Sequence, residues 1–296
     1  MSKLAKHRSL YLMLAIPLVY FLIFEYGPMF GVLMAFKDFN LIKGIWGSKW
    51  AGFKYFREYL TDPYFWNVFK NTIVLNVYAL IFYFPTPIIF ALLLHELMWK
   101  KFRSFVQTIA YIPHFLSTVV VAGMIVNFLS ASGLINQIIS RLGGEPIMFM
   151  MKAEWFRTIY IGSEIWQGMG WNSIIYLAAL TAVDPQLYEA ATIDGANRWR
   201  KLWHVTLPGI SSVITVMLLM QIGKMMTVGF EKILLLYSGP TYKTADVIQT
   251  FVYRRGLIDS DFSFATAVGV FQSVIAFVLV ISANQIAKKV NGHGLF

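Results

Sequence analysis

The sequence contains no cysteine and is poor in charge. The first absence excludes disulfides, thiolate metal ligands and cysteine nucleophiles. Charged residues make up 14% of the 296 positions, against about 25% in an ordinary soluble domain, which argues against a disordered or cytosolic chain. Acids are the scarcer sign: 15 Asp and Glu stand against 25 Lys and Arg, for a formal net charge of +10. In a soluble protein that excess suggests nucleic acid. Beside long apolar runs it reflects basic residues flanking membrane spans, so no nucleic-acid partner is expected. Five histidines, at positions 7, 95, 114, 204 and 293, are scattered with no pair at ligand spacing, and no metal site is expected. A G-x-x-x-x-G-K-[ST] phosphate loop is also missing. Gly223-Lys224, the one Gly-Lys pair, has no Gly five residues before it and is followed by Met225. The chain is therefore expected not to be an ATPase, and to carry no cofactor of its own. HExxH, GxSxG and paired intramembrane aspartates are absent too, which leaves little ground for a membrane-embedded enzyme.

What is present is hydrophobic length: 57% of the residues are apolar. Asn71–Leu94, Ser104–Ser140 and Phe262–Ala287 hold no Asp, Glu, Lys or Arg, while Ser9–Phe36, Thr158–Val183 and Val205–Phe230 are interrupted only by Glu25, Glu164 and Lys224. Each window reaches the roughly 20 residues that cross a hydrocarbon core about 30 Å thick. The reading is an all-α membrane protein of one domain with six spans, near 10–36, 70–95, 104–130, 158–183, 206–230 and 262–287. The third window exceeds one span, so Ala131–Ser140 is expected outside it as a re-entrant or interfacial piece. Lys3, Lys6 and Arg8 precede a run too long for a secretory signal, so an uncleaved first span is expected. Pro17, Pro85, Pro87 and Pro113 fall within spans and are read as kinks whose freed backbone groups neighbouring helices satisfy.

An even number of spans puts both termini on one side. Taking 1–8, 95–103, 184–204 and 288–296 as that side gives 11 Lys/Arg in 47 residues, against 13 in 92 on the other. The density, roughly 0.23 against 0.14 per residue, places both termini in the cytoplasm, because the positive-inside rule weighs short segments beside spans.

The most informative segment is Asp184–Pro208, DPQLYEAATIDGANRWRKLWHVTLP. Asp184 suits an N-cap and Pro185 the first helical position. Asp194-Gly195 stops that helix, since Gly takes a left-handed conformation without strain. A second short helix is expected over about Ala196–His204, with Pro208 opening the next span. The product is a helix–Gly–helix knob: small alanines at Ala190, Ala191 and Ala196 permit close approach, and the second arm is basic and aromatic. Glu189-Ala190-Ala191, Gly195 six residues after the Glu, and Val205-x-Leu207-Pro208 resemble the EAA loop of permease subunits of binding-protein-dependent ABC importers, with Val205 where that family has Ile. Ala35–Phe39, Asp62–Trp66, Tyr111–Phe115, Gly170–Leu180 and Asp246–Leu257 extend the likeness along the chain, toward sugar permeases that import oligosaccharides derived from complex polysaccharides.

The resemblance implies a six-helix type I importer permease in a bacterial inner membrane, with loop 184–208 in the cytoplasm. It implies as partners a second homologous permease, a cytoplasmic ATPase dimer that holds ATP and Mg, an extracytoplasmic solute-binding protein and an oligosaccharide. Glu189, Ala190, Ala191, Asp194, Gly195, Ala196, Leu207 and Pro208 would couple to the ATPase.

Ionisable groups in hydrocarbon cost about 2.5–3.5 kcal/mol on insertion scales, so they mark function or pairing. Lys224, three residues after Gln221, fits either a charge lining a central cavity or a side chain snorkelling to the outer interface. Glu164 and Glu25 lie near span ends, and Glu164 is expected to pair with a base. Trp166, Trp171, Asn172 and Tyr176 combine rings and an amide in the way sugar binding needs. Gln221 and Gln272 can add hydrogen bonds, although interhelical contacts use the same groups. A lysine in the spans admits an acidic oligosaccharide such as a uronate oligomer. The first outer loop, with Trp46, Trp50, Tyr55, Phe56 and Arg57, and the third, Tyr237–Tyr242, suit a landing site for a binding protein; an interfacial helix suits the first equally. A secondary transporter driven by an ion gradient would need intramembrane acid relays and often an internal repeat, and neither is apparent.

Overall fold

A computed structural model describes residues 8–291 of the chain. Lys3, Lys6 and the histidines at 7 and 293 lie outside the described residues. Among the described residues the fold is helical apart from one hairpin of two-residue strands, β1 (Lys37–Asp38) paired antiparallel with β2 (Lys49–Trp50). Two compact units form: the residues up to Phe65 with Val252–Gln272, and Trp66–Phe251 with the residues from Ser273 on.

The first unit begins with α1 (Leu10–Phe36). Every residue from Leu10 to Phe30 is exposed, and an apolar helix bare on all sides is stable only in hydrocarbon or against another chain. Beyond the hairpin, α2 (Lys54–Thr61) lays Phe56 and Tyr59 into an aromatic cluster with Phe36, Phe65, Phe264 and Phe271. Burial pushes the Tyr59 phenol up to about 12. Lys54 and Tyr55 both donate to Asp38, which holds that carboxyl below its ordinary range. The Arg255 guanidinium reaches Glu58 at 3.0 Å and Asp261 at 3.2 Å and lies over the Phe264 ring. Trp46 and Trp50 remain exposed.

The second unit carries most of the helices. α3 (Pro63–Glu96) enters it at Trp66 and runs on through a π turn at Ala79–Tyr83. That turn absorbs Pro85 and Pro87, which sit where the following helical turn starts and so cost few bonds. α4 (Lys100–Phe115) and α5 (Thr118–Phe128) meet at 98°. The third expected span is thus a broken pair rather than one helix. Pro113 lies in its final 3-10 turn, and Ser117 restarts the chain as an N-cap accepting from the Val120 amide. α6 (Leu134–Arg141) is a separate helix over most of the piece expected outside the span.

Next comes α7 (Ala153–Thr181), 29 residues long. It is the central helix of this unit: Phe156, Tyr160, Ile161, Tyr176, Leu177 and Leu180 are all buried on it. Two glycines set its closest approaches. A Cβ on Gly170 would lie 2.1 Å from the Ala110 carbonyl oxygen of α4, and one on Gly168 would lie 2.4 Å from the Tyr83 hydroxyl.

α8 (Pro185–Ile193), α9 (Arg198–Gly209) and α10 (Ser211–Gly223) follow, with a 62° bend between the last two. The fifth expected span therefore starts at Ser211, and Pro208 closes the preceding helix instead of opening the span. It also stops short: α10 ends at Gly223, six irregular residues follow, and α11 (Phe230–Leu236) starts at the former end of the window. After α12 (Ile248–Tyr253), α13 (Phe262–Asn291) is continuous, as its charge-free window predicts.

Among the described residues, three helices can cross a membrane by length and composition, or five if each bent pair counts as one span. The sequence reading gives six. The difference is α7, long enough but carrying polar residues, several of them buried against neighbouring helices. Gly170→Val should therefore lower the thermal unfolding temperature of the purified chain markedly, since overpacking costs about 1–3 kcal/mol. Gly162→Ala, which meets nothing within 4 Å, should leave it unchanged. Equal behaviour of the two variants would disprove the close α4–α7 approach.

Candidate functional site

The knob at 184–209 forms as its sequence dictates. Asp184 caps α8 by accepting from the Gln186 amide at 2.9 Å, with Pro185 in the first turn. Gly195 takes φ +73°, and the Gly195 and Ala196 amides return to the Thr192 and Ala191 carbonyls at 3.0 and 2.9 Å. That crossed pair is a Schellman closure, which uses carbonyls otherwise left open at the helix end. The second arm starts two residues later than expected, because Asn197 caps it by accepting from the Arg200 amide.

Two side-chain bonds brace the arms. Tyr188 donates its hydroxyl to Thr206 at 3.1 Å, and the Lys201 ammonium donates to Thr192 at 2.8 Å. Beneath them Val183 and Ile210 are buried in a cluster with Ala91, Leu94, Tyr176, Leu177 and Leu180. Gly209 lies so close that a Cβ there would meet Val183 at 2.8 Å. The knob's base is thus continuous with α3 and α7. Its tip is not covered: Glu189, Ala190, Asp194, Gly195 and Pro208 are exposed, Ala191, Ala196 and Leu207 half-buried, and Ile193 is 87% exposed.

The residues expected along a substrate path lie on α7, at the end of α10 and on α13. Trp166 and Trp171 are exposed, and the Trp171 ring stacks on His114 at 4.5 Å. Asn172 is half-buried and donates to the Tyr83 hydroxyl. Tyr176 is buried among aliphatic side chains of the knob's base. Gln221 is half-buried near the end of α10, and Lys224 is exposed as the C-cap of that helix. Gln272 is half-buried on α13.

Sequence reading missed a charge that, besides Asp246, the fold buries. Lys232 of α11 is only 5% exposed and pairs with Glu164 of α7. Glu164 was expected to find a base, but the base was sought at an interface, and Lys232 was assigned to an outer loop. The available signal was the run Phe230-Glu231-Lys232-Ile233-Leu234-Leu235-Leu236, apolar enough to form a helix seated in protein. One turn before Glu164, Tyr160 accepts from the Gly229 amide, so two side chains of α7 fix the start of α11.

The match to known proteins covers the parts just described. Residues 84–292 match the family described as "Binding-protein-dependent transport system inner membrane component". The chain belongs to this family. Among relatives, it is 47% identical to the polygalacturonan/rhamnogalacturonan transport system permease protein YteP of Bacillus subtilis strain 168, over 99% of this chain and 92% of that one. It is 44% identical to protein LplB of the same organism, over 100% and 93%. Its fold matches a chain of a bacterial alginate ABC transporter, solved in complex with an alginate pentasaccharide-bound periplasmic protein, with TM-score 0.92 at 43% identity over 99% and 98% of the two chains. The protein is thus an inner membrane component.

Within this family member the Glu164–Lys232 pair should act as a structural lock. Glu164→Gln strands a buried ammonium and should cost about 3 kcal/mol, whereas Glu164→Gln combined with Lys232→Met should recover much of the loss. Unfolding of the detergent-purified variants measures both, and a double mutant no better than the single one would contradict the pairing.

Proposed function

We propose that this permease forms half of the translocation pathway of an ATP-driven importer for an acidic oligosaccharide, coupled to its ATPase through loop 184–208. The observation that carries the reading is the braced knob with Glu189 exposed at its tip, in a chain 43–47% identical to relatives named for polyuronide transport. The full assembly pairs the chain with a second homologous permease, a cytoplasmic ATPase dimer holding ATP and Mg, and an extracytoplasmic solute-binding protein. Six spans with cytoplasmic termini satisfy that arrangement, counting α7 and both bent pairs as spans.

Coupling follows from stiffness. Closure of the ATPase dimer moves the docked tip at Glu189–Gly195. The Tyr188–Thr206 and Lys201–Thr192 bonds prevent the arms from folding against each other, so the displacement passes to Val183, Gly209 and Ile210 and from there to α7 and α10. Packed cores switch between discrete arrangements instead of deforming smoothly, which converts a small push into inward-open and outward-open states. A gradient-driven carrier would need a free intramembrane acid, and Glu164 is instead neutralised by Lys232.

Gly195→Asp and Glu189→Ala should each leave a folded membrane subunit that no longer co-purifies with the ATPase. Wild-type retention of ATPase by both variants would overturn the coupling role. Substrate class is tested separately: uptake of a labelled oligouronate should be competed by other uronate oligomers and not by neutral arabino-oligosaccharides. Equal competition by the neutral sugar would remove the acidic assignment.

A further inference from the structure

We propose that the cytoplasmic end of α3 carries a binding site for an anionic phospholipid, built by two basic, aromatic segments on either side of Glu96. The placement rests on the reading of loop 184–208 as cytoplasmic. A hollow of about 500 Å³ runs between α3 and α9, with Ile89, Leu92 and Leu93 on one wall and Arg198, Trp199 and Leu202 on the other. A second, of about 350 Å³, is walled by Leu97, Met98, Trp99 and Phe102. Glu96 lines both, so the two adjoin.

Three features fix the occupant. Ile89 and Leu93 are exposed on a helix of membrane-crossing length, so the hollow continues a hydrocarbon-facing surface over about 10 Å of helix axis. At its end, cations gather: Lys100, Lys101 and Arg103 on α4, Arg198 and Arg200 on α9, none in an ion pair among the described residues. Apart from Glu96, no acid occurs between Leu97 and Gly144 or between Gly195 and Phe230. Finally Trp99, Trp199 and Trp203 are exposed beside those cations. Aliphatic wall, then indole rings, then guanidinium and ammonium is the order met along a phospholipid from acyl chain to glycerol to phosphate. A soluble partner would match the charge but not the aliphatic wall.

Native mass spectrometry of the full-length chain in mild detergent decides the matter, with phosphatidylglycerol and phosphatidylcholine of the same acyl chains as probes. Phosphatidylglycerol should be retained at about tenfold lower concentration than phosphatidylcholine. R198Q/R200Q and K100Q/K101Q should each erase that preference, and L93W should lower phosphatidylglycerol occupancy by filling the hollow. Where a double variant unfolds early, the single exposed-site variants K100Q and R200Q give the answer. Equal retention of the two lipids, or an unchanged preference in the variants, overturns the proposal. Displacement of phosphatidylglycerol by excess inorganic phosphate would also overturn it, as the mark of a free-anion site. ATPase capture is scored on the same preparations. Loss of lipid preference with capture intact sinks this site alone, whereas lipid preference in a wild type that captures no ATPase sinks the coupling reading alone.

Discussion

Helix breaks inside a bilayer leave amides and carbonyls that no water can reach, and every unusual feature of this chain follows from how those groups are satisfied. The breaks are many, and side chains close several of them. Gln167 of α7 donates to the Leu116 carbonyl where α4 turns into α5. After α10, Gln249 accepts from the Val228 amide and donates to the Met226 carbonyl, while Tyr160 takes the Gly229 amide. Ahead of α12, Thr250 and Thr72 accept from the Val247 and Ile248 amides, and Asn71 donates to the Lys243 and Asp246 carbonyls. Asn136 makes three such bonds across residues 130–147.

This constraint explains why several polar residues of the helices bond backbone groups. Gln167, Asn71 and Thr72 look, in sequence, like the amides and hydroxyls that a sugar needs. In the fold they bond backbone groups, and the Asn71 oxygen also accepts from Arg157. The same holds for Glu164, whose partner Lys232 lies on the segment that Tyr160 also anchors. Of the aromatic side chains expected along a substrate path, Trp166 and Trp171 on α7 are exposed, with Trp171 stacked on His114.

Legibility in the sequence divides along the same line. The knob was readable in detail, because caps and turns are local: Asp184, Pro185 and Gly195 act on neighbours within three residues, and each does what its chemistry requires. Charge-free windows located α1, α3 and α13 to within a few residues at their apolar cores. The windows failed where composition is silent about direction. Nothing in Ser104–Ser140 distinguishes a straight span from two helices at 98°, because Leu, Ile and Val are equally at home in both. Pro113 and Ser117 were the local clues, a proline that cannot continue a helix followed by a residue that can start one. For Lys232 the apolar run around it points to a helix seated in protein, but its pairing is not local: the acid lies 68 positions away.

The two kinds of structure meet at the knob's base, and there the division of labour becomes mechanical. Local rules shape the tip so that it presents Glu189 and the alanines regardless of the rest of the chain. Long-range packing grips the base, through Tyr188 to Thr206 and through Val183 against Gly209, at the points where α7 ends and α10 begins. A tip shaped by distant contacts would change form whenever the bundle switched, and would lose its grip on a partner at the moment of force transfer. A base held by local turns alone would bend under load. In the proposed coupling, keeping the tip local and the base non-local would let one short segment hold a constant docking surface while the helices beneath it change state.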